Sequence, residues 1–272
     1  MHPIGVFDSG VGGLSVLQAL RSELPHERFV YFSDAGYAPY GERDVAHVLQ
    51  RSLAIGDYLV HRQGVRALVV ACNTATAAAI VALRAAYPAL PIVGVEPALK
   101  PAAARSLTGI VGVLATRGTL ASEKFQALLQ AQNPKVHFVL QACDGLAAAI
   151  EHDDAAQIGT LCTRYTANLG RFGGTPGAVD TVVLGCTHYA FAKTELQKRV
   201  GPDVTLLDAG QPVAQRTHKL LDQENAANLA TGASEKNQIW VDLWTTGTVS
   251  TLEDAAQRWL TDCGPVRHVA LA

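Results

Sequence analysis

Residues 67–74 read Ala67-Leu68-Val69-Val70-Ala71-Cys72-Asn73-Thr74, an apolar run that stops abruptly at a thiol, an amide and a hydroxyl. A run this short, rich in valine and without alternation, fits a strand buried on both faces inside a parallel sheet. A second segment has the same form 114 residues further on: Val182-Val183-Leu184-Gly185, ending in Cys186-Thr187-His188. A related pair lies upstream of each. Gly5-Val6-Phe7 runs into Asp8-Ser9-Gly10, and 107 to 108 residues later Gly112-Val113-Leu114 runs into Ala115-Thr116-Arg117-Gly118-Thr119. Two offsets of similar size indicate a duplicated unit.

Working outward, further apolar runs at 29–32, 92–95, 110–114, 136–140 and 204–207 alternate with stretches of helical period. One helix pattern uses Val45, Val48, Leu49, Ile55 and Leu59. Another uses Ile158, Leu161, Tyr165, Leu169 and Phe172 and is expected to stop at Gly173-Gly174. Strand and helix in alternation specify an α/β fold. The expected architecture is two pseudo-symmetric parallel-sheet α/β domains with the active site in the cleft between them. Glu96-Pro97 marks the boundary, and the expected domains are 1–96 plus 208–272 and 97–207, although composition alone does not decide whether the segment after Leu207 packs back on the first unit. Trp240, Trp244 and Trp259 fall in a C-terminal strand and helix and read as core or subunit contacts.

Composition agrees. The 272 residues correspond to about two domains at roughly 150 each. Hydrophobic residues make up 49% and charged residues 17%, the reverse of a disordered chain. A net charge of -2 supplies no basic field for phosphates, so no nucleic-acid partner is expected. The N-terminus shows no secretory pattern. The uncharged stretch between Arg66 and Arg84 contains Asn73, Thr74 and Thr76, unlike a membrane span. A cytoplasmic chain with no membrane association is expected. Five cysteines, an odd number without any CxxC pair, argue against a disulfide framework and against a zinc site.

In open parallel sheets, ligands bind beyond the carboxyl ends of the strands. Asp8-Ser9, Asp34, Cys72-Asn73-Thr74, Thr116 and Cys186-Thr187-His188 all occupy such places. The turn Asp8-Ser9-Gly10-Val11-Gly12-Gly13 presents amides to an anion or is merely a tight turn with a helix cap; alone it does not decide. Tyr31 to Asp34, leading into Pro39-Tyr40-Gly41, reads by itself as an ordinary turn. A single buried cysteine is normally a small hydrophobe. Two, at matching ends of two matching halves, read as chemistry. Two thiols facing one carbon from opposite sides can invert it, one removing a proton while the other delivers one. Asp8 near Cys72 and His188 near Cys186 are placed to manage those protons. No metal-ligand spacing and no cofactor motif accompanies them, so no metal and no cofactor are expected.

At these residues the chain resembles the glutamate racemase family of cofactor-independent amino-acid racemases. The resemblance rests on Asp8 through Leu14, Tyr31 through Asp34 with Pro39-Tyr40-Gly41, Cys72 through Thr76, Gly112 through Thr119 and Gly185 through Tyr189. It implies interconversion of L- and D-glutamate, supplying D-glutamate for peptidoglycan, by a homodimer. It further implies that Cys72 takes the α-proton of the D isomer and Cys186 that of the L isomer. Asp8 and Asp34 would support Cys72, and His188 with Glu151 would support Cys186. Asp8, Ser9, Tyr40, Gly41, Asn73, Thr74, Thr187 and His188 match substrate-contacting positions, as do Thr116 and Thr119. The chain departs from the family's pattern twice, at Asp144-Gly145 and the alanines before Glu151, and at Ala190-Phe191 in place of Pro-Leu. Racemisation of aspartate, a non-catalytic two-lobed amino-acid receptor and thiol–disulfide exchange are the competing readings.

Overall fold

The computed structural model describes residues 2–227, 241–260 and 262–271. Trp240 lies outside the described residues. Two parallel sheets form the framework. The first contains β1 (Ile4–Asp8), β2 (Phe29–Ser33), β3 (Ala67–Val70), β4 (Ile92–Gly94), β9 (Val241–Thr245) and β10 (Val266–His268), in the order β10-β9-β2-β1-β3-β4. The second contains β5 (Ile110–Ala115), β6 (His137–Ala142), β7 (Thr181–Gly185) and β8 (Thr205–Leu207), in the order β6-β5-β7-β8. Every residue of β1, β2, β3 and β7 is buried, which is why these strands lack polar alternation.

The duplication seen in the sequence has a topological counterpart. In each sheet the first strand of the repeat is flanked by the second and third, with the fourth beyond the third. Thus β1 corresponds to β5 and β3 to β7. The chain changes direction across the sheet between these two strands, opening a crevice beyond their carboxyl ends. Asp8 and Cys72 stand at the first crevice, Thr116 and Cys186 at the second.

Helices cover both faces of each sheet. On the first sheet, α1 (Leu14–Glu23), α10 (Gly210–Ala227) and α11 (Val249–Trp259) pack on Ile4, Val6 and Val69. On its other face, α2 (Val45–Asp57) and α3 (Asn73–Ala86) pack on Phe7, Phe32 and Val70. On the second sheet, α7 (Leu146–Glu151), α8 (Ala155–Ala167) and α9 (Lys193–Val200) cover Val182 and Leu184. Its opposite face, with Val111 and Val113, packs against α4 (Leu99–Arg105) and α6 (Glu123–Gln130). A short α5 (Arg117–Ala121) follows β5. Burying one such aliphatic side chain contributes about 1.5–3 kcal/mol, so four clusters of this size outweigh any single surface contact.

One helix boundary differs from expectation. α8 stops at Ala167, before Leu169 and Phe172. The chain turns at Gly170, with φ of 101°, and Phe172 forms a β-bridge with Val179. Leu169 and Phe172 keep helical spacing because they still face the α8 core cluster after the helix has ended. Trp244 in β9 packs on the α2–α3 side, and Trp259 closes α11. The Trp259 ring stacks on Phe191, with centroids 3.7 Å apart and planes at 8°. The departure at Phe191 therefore forms an aromatic contact between α11 and the segment after Cys186. No helix among the described residues is long and apolar enough to cross a membrane.

Candidate active site

The two crevices meet at one cavity of about 230 Å³. Ser9, Tyr40, Gly41, Cys72, Asn73 and Thr74 line it from the first sheet, and Thr116, Glu151, Cys186, Thr187 and His188 from the second. Asp8, Asp34 and Thr119 stand behind this lining. Cys143, at the end of β6, also lines the cavity, and Arg117 and Asp144 form an ion pair there. In the sequence alone Cys143 reads as a small hydrophobe, because no cysteine at a matching strand end pairs with it. Its position following β6 matches that of Asp34 following β2, the one signal that marks it out.

Each thiol has its own surroundings. Cys72 is the N-cap of α3, and the Ala75 amide donates to its sulfur over 3.4 Å. Ser9 Oγ lies 3.8 Å from the same sulfur. Burial, with the Asp8 carboxyl nearby, pushes the Cys72 thiol up to about 12, against the pull of the Ala75 amide. Ligand-free, Cys72 is a proton donor at neutral pH. Cys186 precedes a short 3-10 turn, Thr187–Ala190, that brings His188 Nδ1 to 3.8 Å from its sulfur. His188 Nε2 is 2.7 Å from Glu151 Oε2. Thiol, imidazole and carboxylate form one relay.

Burial works against the His188 imidazolium, but Cys186, Glu151 and Asp8 outweigh it and hold its pKa well above the usual 6.5. The sign of the linkage follows. A raised folded pKa stabilises the fold fully below the unfolded value of about 6.5, and that contribution disappears as pH rises through the folded value. The denaturant midpoint of wild type should therefore exceed that of Glu151→Gln most near pH 6, and the gap should narrow as pH rises through the folded value. A gap independent of pH would contradict the pairing.

Asp8 is fully buried and bridges the two halves. Its Oδ1 accepts from Ser9 Oγ and the Gly10 amide, each at 3.0 Å, and its Oδ2 accepts from Thr187 Oγ1 at 2.8 Å. Burial raises its pKa, partly offset by His188 and Thr187. The hydroxyls of Thr74, Thr116 and Thr119 form a second bridge, with Thr74 and Thr116 3.0 Å apart and Thr116 and Thr119 2.9 Å apart. Asn73 is buried and its Nδ2 has no partner among the described residues, which leaves a donor for a bound molecule. Helix geometry leaves the amides of Asn73 and Thr74 without intrahelical acceptors too.

Two expectations change. The glycine-rich turn does not reserve its first amides for a ligand. The Gly10 amide goes to Asp8, and the Val11 amide to Glu151 Oε2 at 2.9 Å and Oε1 at 3.2 Å. The turn's glycines make room: a Cβ on Gly10 would lie 2.3 Å from Glu151 Oε2, and one on Gly12 2.2 Å from His188 Nδ1. Asp34 likewise does not reach Cys72. Its carboxylate is filled by Arg51, Tyr40 and Thr246, because α2 places a guanidinium directly beside it.

Comparison with known proteins bears on the family and the fold. The family model described as Asp/Glu/Hydantoin racemase matches residues 5–217. A protein of Pseudomonas syringae pv. tomato named glutamate racemase is 47% identical over 240 residues, 88% of this chain and 84% of that protein. One of the same name from Methylococcus capsulatus is 46% identical over 225 residues, 82% of this chain and 80% of its own length. Among solved structures, a glutamate racemase isoform from Bacillus anthracis superposes with a TM-score of 0.83 at 32% identity, covering 99% of this chain and 97% of that one. The Escherichia coli glutamate racemase, solved with L-glutamate and the activator UDP-MurNAc-ala, gives 0.82 at 30% identity with 100% of both chains covered.

Proposed function

The chain belongs to the Asp/Glu/hydantoin racemase family, and from that premise we propose that it interconverts L- and D-glutamate by a two-base proton transfer. The observation that carries the reading is the meeting of two thiols in one cavity. They come from corresponding strand ends of two matching sheets, and each has a separate partner set.

An α-proton is weakly acidic, so a thiolate needs help. Cys186 acts as a thiolate beside the His188 imidazolium that Glu151 holds and takes the proton of the L isomer, while the protonated Cys72 delivers one to the other face. The roles exchange in reverse. Asp8 lies one layer behind the cavity, between Ser9 and Thr187, where the charge of the substrate ammonium offsets the carboxylate that helps hold Cys72 up. Asn73 Nδ2, the α3 amides and the hydroxyls of Ser9, Thr74, Thr116, Thr119 and Thr187 hold the carboxylates and stabilise the carbanion. Tyr40 and Gly41 close the cavity and keep water from reprotonating it. A homodimer in the cytoplasm, feeding D-glutamate to peptidoglycan, completes the reading on family membership alone.

Polarimetry on separate L-glutamate and L-aspartate solutions tests the assignment. Rotation should vanish with glutamate and fall about 10- to 200-fold more slowly with aspartate, since one methylene shifts transition-state binding by about 1–3 kcal/mol. Equal or faster loss with aspartate would move the assignment to that substrate. Binding of glutamate without loss of rotation would make the protein a receptor.

A further inference from the structure

Arg51 is absent from every motif in the sequence, and its side chain neither lines the cavity nor reaches solvent. It lies in α2 with 5% of its side chain exposed, against an Asp34 side chain at 0%. The guanidinium meets the carboxylate as a fork: Nε donates to Oδ2 at 3.0 Å and Nη2 to Oδ1 at 2.9 Å. Its Nη1 donates to the Leu271 carbonyl at 2.9 Å, and the Tyr37 ring lies over it at 3.6 Å. Two acceptor sites of Asp34 remain. Thr246 Oγ1 donates to Oδ1 at 2.8 Å, and Tyr40 Oη to Oδ2 at 2.5 Å. A carboxylate gripped on both oxygens has one orientation, so the phenol hung on it has one orientation too.

Tyr40 belongs to the short turn Tyr40–Glu42 that forms part of the cavity wall. That wall sits tightly against the other half of the molecule. A Cβ on Gly41 would lie 2.7 Å from Thr116 Cβ, and one on Gly118 would lie 3.1 Å from the Gly41 carbonyl. A small rotation of Tyr40 therefore opens the seam between Gly41 and Thr116, beside the hydroxyls that face the substrate.

We propose that Arg51 is a positioning residue for glutamate: through Asp34 it fixes Tyr40, and so the Tyr40-Gly41 wall that closes the cavity against Thr116. This rests on the glutamate reading above. Asp34 then serves as the link between guanidinium and phenol, and the Leu271 carbonyl holds the guanidinium from outside.

Arg51→Lys keeps the charge and loses the fork. Tyr40→Phe removes only the hydroxyl and leaves the ion pair intact. Both should raise KM for glutamate, and the calorimetric Kd for D-glutamate, about tenfold or more, while kcat falls less than about threefold. The double variant should be no worse than the poorer single one, because both cut the same chain of contacts. A purely structural Arg51 would lower Tm and leave KM and Kd within twofold of wild type, which would overturn the inference. Additive effects in the double variant would overturn it as well. If Arg51→Lys does not fold, Tyr40→Phe decides alone, and an unchanged Kd there rejects the proposal. Wild-type protein that neither binds nor racemises glutamate would overturn the functional reading and this inference together.

Discussion

Cys72→Ser and Cys186→Ser should each lower kcat/KM for glutamate by about a thousandfold or more, since a general acid–base group contributes about 10²–10⁴. The fall must be the same from L and from D glutamate, because the enantiomers have equal free energy and the equilibrium constant is one. A base facing only one isomer thus controls both directions. Loss of fold does not explain the expected effect at position 72. Serine is a favoured N-cap, so it can take over the Ala75 amide that Cys72 now holds at 3.4 Å. Cys263, half-buried and away from the cavity, is the control, and Cys263→Ser should leave turnover unchanged. Circular dichroism of the glutamate solution reads all three. More than about a tenth of wild-type turnover in either cavity variant would be incompatible with a general-base contribution of that size.

Gly12→Ala is expected to cost about a hundredfold in kcat although it adds a single methyl group. That methyl carbon would lie 2.2 Å from His188 Nδ1 and 2.6 Å from its Cε1 and Cγ. The imidazole has no easy retreat: it is 5% exposed and its Nε2 is held at 2.7 Å by Glu151. It must move by about 1 Å to reach ordinary contact, and a displacement of that size in a catalytic group costs about 10² in rate. The steady-state rate of the folded variant checks this. Near-normal kcat would mean that His188 tolerates displacement and is not the group that serves Cys186.

The contrast between Gly12 and Cys72 shows which parts of the molecule a sequence makes legible. Strands such as β1, β3 and β7 stand out because burial on both faces removes polar alternation. Cys72 and Cys186 stand out because they end two of these runs at matching places. β9 is weaker, since Asp242 and Trp244 alternate with buried residues. The end of α8 is not legible, because the apolar spacing of Leu169 and Phe172 persists past the backbone turn at Gly170. The glycine turn was legible as a turn but not in purpose: its occupants, Glu151 and His188, lie 140 and 176 residues beyond Val11 and Gly12. Arg51 was invisible for a similar reason. An arginine on an amphipathic helix reads as solvated until the fold brings Asp34 beneath it. Glu151 entered only through family resemblance, and its contacts with Val11 and His188 now give it a geometric basis.

Proton NMR and mass spectrometry of L-glutamate incubated with the protein in D2O, sampled while less than about a tenth has reacted, test the central claim most directly. If separate thiols serve the two faces, the D-glutamate formed carries deuterium at Cα and the recovered L-glutamate retains protium. Protium retained in the D-glutamate, or deuterium entering the recovered L-glutamate as fast as product appears, would mean that one group serves both faces and would contradict the account.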